Sequence, residues 1–312
     1  MILTVTLNPS VDISYPLKQL DIDSVNRVAD VRKEAGGKGL NVTRVIKLAN
    51  QDVLATGFLG GILGSYIAKR LDDVNIKHDF YPVAEESRNC IAILHGGLQT
   101  EILESGPVIS LSEQENFVNH FSELQKLARI ITISGSLPSG VPKDFYQKLI
   151  ELANRENKKV LLDCSGQCLK KAIEGSVLPY LIKPNKEELE QLTGKSLDLN
   201  SIQSFVDIVK SHNALQEIPW IVVSLGKNGA FAKVKDKYFS VKVPRIKVIN
   251  AVGSGDSTIA GLAIGINNNE SFEDILKKAM AFGVLNALEE QTGCINMCLY
   301  KNIFDQITVN PY

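Results

Sequence analysis

The chain has 312 residues, with 34 Lys and Arg against 35 Asp and Glu and a formal net charge of −1. That length suits one large α/β domain with a small appendage. The charge balance argues against a nucleic-acid or anionic-membrane surface but leaves room for a local basic pocket.

Residues 2–7 are apolar, have no basic residues before them and run into Asn8-Pro9, so they read as a first strand and not a signal peptide. No stretch approaches transmembrane length. The five cysteines (Cys90, Cys164, Cys168, Cys294, Cys298) are scattered, and the i,i+4 spacing of two pairs fits neither a zinc site nor a redox motif. They read as buried reduced thiols, which leads to the expectation of a soluble, cytoplasmic protein.

Residues 11–17 alternate with period two, as a half-exposed strand would. Asp12, just beyond the first strand, can accept two hydrogen bonds from neighbouring hydroxyls; it reads equally as an exposed strand residue. Gly36-Gly37-Lys38-Gly39-Leu40-Asn41 opens an amphipathic helix. Its glycines allow close approach of a ligand, Lys38 offers a point charge and Asn41 can both donate and accept. The spacing is not that of a Walker A loop. A second strand follows at residues 53–58. Residues 90–104 read as two strands joined at Gly96-Gly97, which suit a tight hairpin turn. With residues 11–17 they suggest a small antiparallel sheet over residues 12–34 and 88–106, either a lid and pairing surface or a plain edge hairpin. Arg88, at its start, and Arg27, in the earlier segment, could each fork onto a phosphate or stay solvated.

Further strands are expected at residues 130–134, 160–163, 180–183 and 220–225, with helical patterns between them. Their near-continuous apolar character fits a parallel sheet covered on both faces, so the fold class is α/β, doubly wound. Lys183-Pro184-Asn185-Lys186-Glu187-Glu188 follows one strand. Asn185 and Glu188 could face one hydrated Mg²⁺, although from spacing alone a capping pair is the stronger reading. Ser224-Leu225-Gly226-Lys227-Asn228-Gly229 closes another strand with a turn suited to a nucleotide or merely to connection.

The most informative run is Asn250-Ala251-Val252-Gly253-Ser254-Gly255-Asp256. It lies between the β-branched residues 246–249, expected to be a strand, and an apolar helical pattern. Unpaired N–H groups around Gly253, Ser254 and Gly255 would receive an anionic phosphoryl group. A carboxylate directly after them is costly unless it takes a proton from an attacking hydroxyl, which makes Asp256 a candidate general base; a helix cap is the bland alternative.

In order along the chain, NPSVD, GGKGLN, KPNKEEL, VSLGKNGA and AVGSGD resemble the ribokinase and phosphofructokinase-B family of sugar kinases. The detailed segments, among them TLNPSVDISY, ISGSLPSG, LLDCSG and GSGDSTIAG, look most like its tagatose-6-phosphate branch, with the 1-phosphofructokinase branch close behind. The resemblance implies a ribokinase-like three-layer αβα domain over residues 1–312 with a β-sheet lid. It implies ATP and Mg²⁺ as cofactors and phosphorylation of a ketohexose phosphate, tagatose 6-phosphate at O1 foremost. Asp256 is then the base, and Gly253, Ser254 and Gly255 form the anion hole. Asn185 and Glu188 serve Mg²⁺ and its waters. Lys183, Ser224, Gly226 and Gly229 contact ATP, with Asn286 at the adenine. Asp12, Gly37, Lys38, Asn41 and Ser136 hold the sugar, and Arg88 and Arg27 its phosphate. A homodimer through the lid sheets is also implied. The family's usual DTxGAGD lacks its leading acid and hydroxyl here, which puts a monovalent-cation site at that loop in doubt. A nicotinamide dehydrogenase is disfavoured because no GxGxxG follows the first strand, and Gly57, Gly60, Gly61 and Gly64 are misspaced. A non-catalytic sugar-binding protein would have little reason to keep Asp256 beside an anion hole.

Overall fold

The computed structural model describes residues 1–312. The chain begins β1 (Ile2–Thr6), β2 (Ser10–Leu17), β3 (Arg32–Gly36), α1 (Lys38–Leu48), β4 (Val53–Gly60), α2 (Gly61–Asp73), β5 (Lys77–His78), β6 (Tyr81–Val83), β7 (Arg88–His95) and β8 (Leu98–Leu103). It continues through α3 (Leu111–Leu124), β9 (Ile130–Ser134), α4 (Phe145–Arg155), β10 (Lys159–Asp163), α5 (Gly166–Glu174), β11 (Leu181–Ile182), α6 (Lys186–Thr193), α7 (Ile202–Lys210), α8 (Asn213–Glu217) and β12 (Trp220–Ser224). The last part holds β13 (Ala230–Val234), β14 (Lys237–Lys242), α9 (Ser254–Asn267), α10 (Phe272–Ala287), α11 (Tyr300–Gln306) and β15 (Thr308–Pro311).

The main sheet has the order β15-β14-β13-β12-β11-β10-β9-β1-β4-β5, with β6 also on β4. Strands from β12 to β5 pair in parallel, whereas β13, β14 and β15 add an antiparallel edge. Side chains alternate between two cores. Ile131, Ile133, Ile221 and Val223 face one, under α3 to α7. Ile130, Trp220 and Val222 face the other, under α1, α9 and α10. Burial on both faces is why these strands read as unbroken apolar runs. β1 lies between β4 and β9, so the chain leaves it in both directions, and a crevice opens at its C-terminal end.

A second sheet, β3-β2-β7-β8, rises beside that crevice. The turn between β7 and β8 has Gly96 at φ 56° and Gly97 at φ 77°, the left-handed pair that a two-residue hairpin needs. Val11, Ile13 and Ala35 of this sheet pack on Leu40, Leu59 and Ile67, which anchors it to α1, β4 and α2. Pairing of β2 with β7 is parallel, so the sheet is mixed and not purely antiparallel as the alternation suggested. All five cysteines are free thiols, and Cys298 is exposed, unlike the buried cysteines expected. No helix is long and apolar enough to cross a membrane.

One expected strand is absent. Residues 246–249 form no ladder, and Val248 and Ile249 are 53% and 58% exposed. β14 ends at Lys242, and the following segment crosses to α10, where the N–H of Ile249 donates to the Ala287 carbonyl at 2.8 Å. β-branched residues there satisfied a pattern, but no neighbouring strand was available to complete it.

Candidate active site

A cavity of about 770 Å³ follows the C-terminal ends of β1, β9, β10 and β12, with β2, β7 and β8 as its far wall. The N-terminus of α9 enters it. Gly253 has φ 83°, a conformation that an L-residue adopts only with strain, and caps the helix without a side-chain bond. The loop therefore closes on backbone alone: Ser254 N–H donates to Ala251 O at 3.2 Å and Ser257 N–H to Gly253 O at 2.9 Å. The N–H groups of Gly253, Gly255 and Asp256 have no backbone partner. They are the donors available to an anion, reinforced by the helix dipole. Ser254, expected among them, has spent its N–H and does not line the cavity.

Asp256 is only 6% exposed. Its Oδ2 accepts a 2.8 Å hydrogen bond from Asn41 Nδ2, which joins α9 to the first turn of α1. Burial, and then the neighbouring charge of Asp163, push the Asp256 carboxyl up to about 7, while Asn41, Lys38 and Lys183 pull the other way. A carboxylate poised near neutrality suits a general base.

Asp163 was not among the residues singled out in the sequence, although it ends an expected strand on the ligand-binding edge of the sheet. It is 3% exposed and ion-paired with the buried Lys183, Oδ1 to Nζ 3.3 Å. The same carboxylate, foremost, holds the Lys38 ammonium above its usual range. A Cβ built on Gly255 would meet Lys183 Nζ at 3.2 Å, so this ammonium lies against the first turn of α9. Arg44 was also missed. Three residues beyond Asn41, it shares that helix face and donates to Thr292 O at 2.7 Å.

On the side of the second sheet, Asp12 accepts from Ser10 Oγ at 2.6 Å, and burial raises its pKa. Gly36 is required by this carboxylate: a Cβ there would lie 2.0 Å from Asp12 Cγ. That glycine serves internal packing, where the sequence suggested approach to a ligand. Gly37, Lys38, Asn41 and Ser136 line the same cavity. Arg88 lines it too, its guanidinium held by the carbonyls of Asn8 (3.1 Å from Nη2) and Glu104 (2.8 Å from Nη1). Arg27 is exposed and outside the cavity.

Asn185 and Glu188 line the cavity and form the full capping box of α6: Asn185 Oδ1 accepts from Glu188 N–H at 2.8 Å, and Glu188 Oε2 from Asn185 N–H at 2.9 Å. The capping reading is thus the one the hydrogen bonds show. Glu188 Oε1 stays free, and no cluster of three or more acidic, His or Cys ligands exists. Such a sparse oxygen set fits Mg²⁺, which keeps most of its waters.

Ser224 lines the cavity, but Gly226 and Gly229 do not. A Cβ on Gly229 would strike Val241 O at 1.9 Å, so this glycine serves the β12–β13 turn. Asn286 is fully buried. It does not line the cavity; its amide joins Val252 O (2.8 Å) and Gly293 N–H (2.8 Å).

Residues 5–297 match the description "pfkB family carbohydrate kinase". The chain belongs to this family. Among solved structures, a Staphylococcus aureus protein provisionally named a phosphofructokinase is 31% identical, covering 100% of this chain and 99% of its own, with a TM-score of 0.84. Phosphofructokinase-2 of Escherichia coli, solved with potassium, is 26% identical over 97% of this chain and 98% of its own, TM-score 0.89. A Thermotoga maritima structure, provisionally a 1-phosphofructokinase, shares the fold at 23% identity, covering 100% and 99%, TM-score 0.87. This pfkB protein is a sugar-phosphate kinase with the ribokinase-like α/β fold. Kinases of the pfkB family use ATP, typically with Mg²⁺.

Proposed function

We propose that the enzyme transfers the terminal phosphoryl group of ATP to the free primary hydroxyl of a ketohexose phosphate, with D-tagatose 6-phosphate, phosphorylated at O1, as preferred acceptor. The observation that carries the reaction type is Asp256: buried, bonded to Asn41, and one residue past free N–H groups at a helix N-terminus. Asp256 Oδ accepts the proton of the acceptor hydroxyl as its oxygen forms the new P–O bond; ADP departs with the electron pair of the broken one. The N–H groups of Gly253 and Gly255 hold the transferring group. Lys38 and Lys183 add positive charge. Glu188 and Asn185 would hold the waters of a Mg²⁺ ion, which when bound would neutralise phosphate charge. Asp12, Gly37, Asn41 and Ser136 orient the sugar hydroxyls, and Arg88 takes the existing phosphate. The lid covers the reacting atoms and excludes water.

The preference for tagatose 6-phosphate draws on the resemblance of the detailed segments. A second reading, a fructose phosphate, draws on the neighbours: the E. coli enzyme has been solved with fructose 6-phosphate. An ADP-release assay with MgATP separates them through kcat/KM for tagatose 6-phosphate, fructose 1-phosphate and fructose 6-phosphate. Preference for the first supports the proposed acceptor; preference for either fructose phosphate replaces it. No turnover with any of the three removes the ketohexose-phosphate reading.

On the outer strand of the lid, Leu98 (68% exposed) and Ile102 (54%) share one face, while Gln99, Glu101 and Leu103 alternate with them and line the cavity. We propose that a second copy covers Leu98 and Ile102 along this unpaired sheet edge in a homodimer.

A further inference from the structure

The loop that carries the anion hole contains no regular structure before α9, yet it must hold several N–H groups aimed at one place. Two asparagine amides tie it to a second loop, residues 288–293, which follows α10. Asn250 Oδ1 accepts from Val252 N–H at 2.9 Å, while its Nδ2 reaches across to Glu290 O (3.0 Å) and Thr292 Oγ1 (3.4 Å). Asn286 works from beneath. Its Nδ2 donates to Val252 O (2.8 Å) and Ser254 Oγ (3.4 Å), and its Oδ1 accepts from Gly293 N–H (2.8 Å) and Ser257 Oγ (3.2 Å). Thr292 closes the seam, since a Cβ on Gly253 would lie 2.6 Å from its methyl carbon. The second loop is itself fixed from the far side: Arg44 donates to Thr292 O, Arg32 pairs with Glu290 at 3.2 Å, and Gln291 bonds Glu34. Arg32 and Glu34 belong to lid strand β3.

On the reading of Asp256 as base given above, we propose that Asn250 and Asn286 are positioning residues for phosphoryl transfer. They form a two-amide clasp that holds the Gly253–Asp256 backbone against the 288–293 loop, and through it against the lid. Neither needs to touch substrate. A buried amide with both ends paired rigidifies what it joins, and leaving either end unpaired is costly. The clasp explains how a helix with no side-chain cap keeps its first turn ordered enough to act on charge that develops only during reaction.

Asn250 is the better probe, because it is half-buried and its loss threatens the fold less than loss of the fully buried Asn286. In Asn250→Ala, kcat is expected to fall about tenfold to a hundredfold, the scale of a misplaced catalytic group, with KM for the sugar phosphate within about twofold. Amide hydrogen exchange over residues 250–258 is expected to accelerate about tenfold or more, while β1 and β9 keep wild-type protection.

An unchanged kcat in Asn250→Ala overturns the proposal. So does a fall in kcat with equal loss of protection across β1 and β9, because that marks a merely structural role. Wild-type enzyme that phosphorylates none of the sugar phosphates fails the functional reading instead. The exchange measurement then decides by itself whether the clasp exists.

Discussion

Asp256 gathers opposing demands in one side chain. Burial raises its pKa to about 7, so the ionised form that its proposed role as base requires is the one the folded protein holds least willingly. Two measurements follow from the same shift. In catalysis, kcat/KM for the acceptor is expected to fall about tenfold per pH unit below roughly 7, as the base becomes protonated. Asp163→Asn should move that limb to lower pH, because it removes a negative charge that raises the Asp256 pKa; an unmoved limb would assign the titration to another group. In stability, a carboxyl raised above its unfolded value of 3.8 contributes stability that is complete below that value and lost as pH rises through about 7. Asp256→Asn is therefore expected to melt higher than wild type at pH 8, by a smaller margin at pH 5, and to lose that advantage below about pH 3.8, with a ceiling on the order of 4 kcal/mol. Its kcat should drop at least about a hundredfold, with ATP binding retained. Equal kcat in the two proteins would remove Asp256 as the base.

At the scale of elements, the site depends on close approaches that only small residues permit. Gly36→Ala would drive a methyl group into the Asp12 carboxyl, and KM for the sugar phosphate is expected to rise about tenfold or more while KM for ATP holds. Parallel rises in both would argue that Asp12 does not contact the sugar. This level also shows why parts of the site were legible in sequence and others were not. Gly253, Gly255 and Asp256 declare themselves because their chemistry lies in consecutive residues. The 160–163 strand was read correctly, yet its terminal Asp163 went unremarked, since only the neighbouring strand end brings Lys183 to it. The resemblance assigned Asn286 to the adenine, and nothing in the residues around it in sequence announces its bonds to the two loops. Its role depends on Val252 and Gly293, which fold toward it from either side. Residues 246–249 carried a strand's composition, but strand formation requires a partner that the edge after β14 does not provide.

For the molecule as a whole, the alternation of apolar strands and amphipathic helices was enough to give the layered α/β body. The antiparallel edge from β13 to β15 was not anticipated. The lid's outward apolar residues carry the proposal of a dimer. Replacing Leu98 and Ile102 together by Glu is expected to shift sedimentation from dimer to monomer at micromolar concentration; a monomeric wild type would end it.

The bond between Asn41 and Asp256 joins residues 215 positions apart. On the roles proposed for them, the sugar-side residues emerge early in translation and the base near the end, so a nascent chain that lacks α9 has neither its amides nor its carboxylate to offer a phosphate donor. Phosphoryl transfer then waits on the docking of α9 against α1.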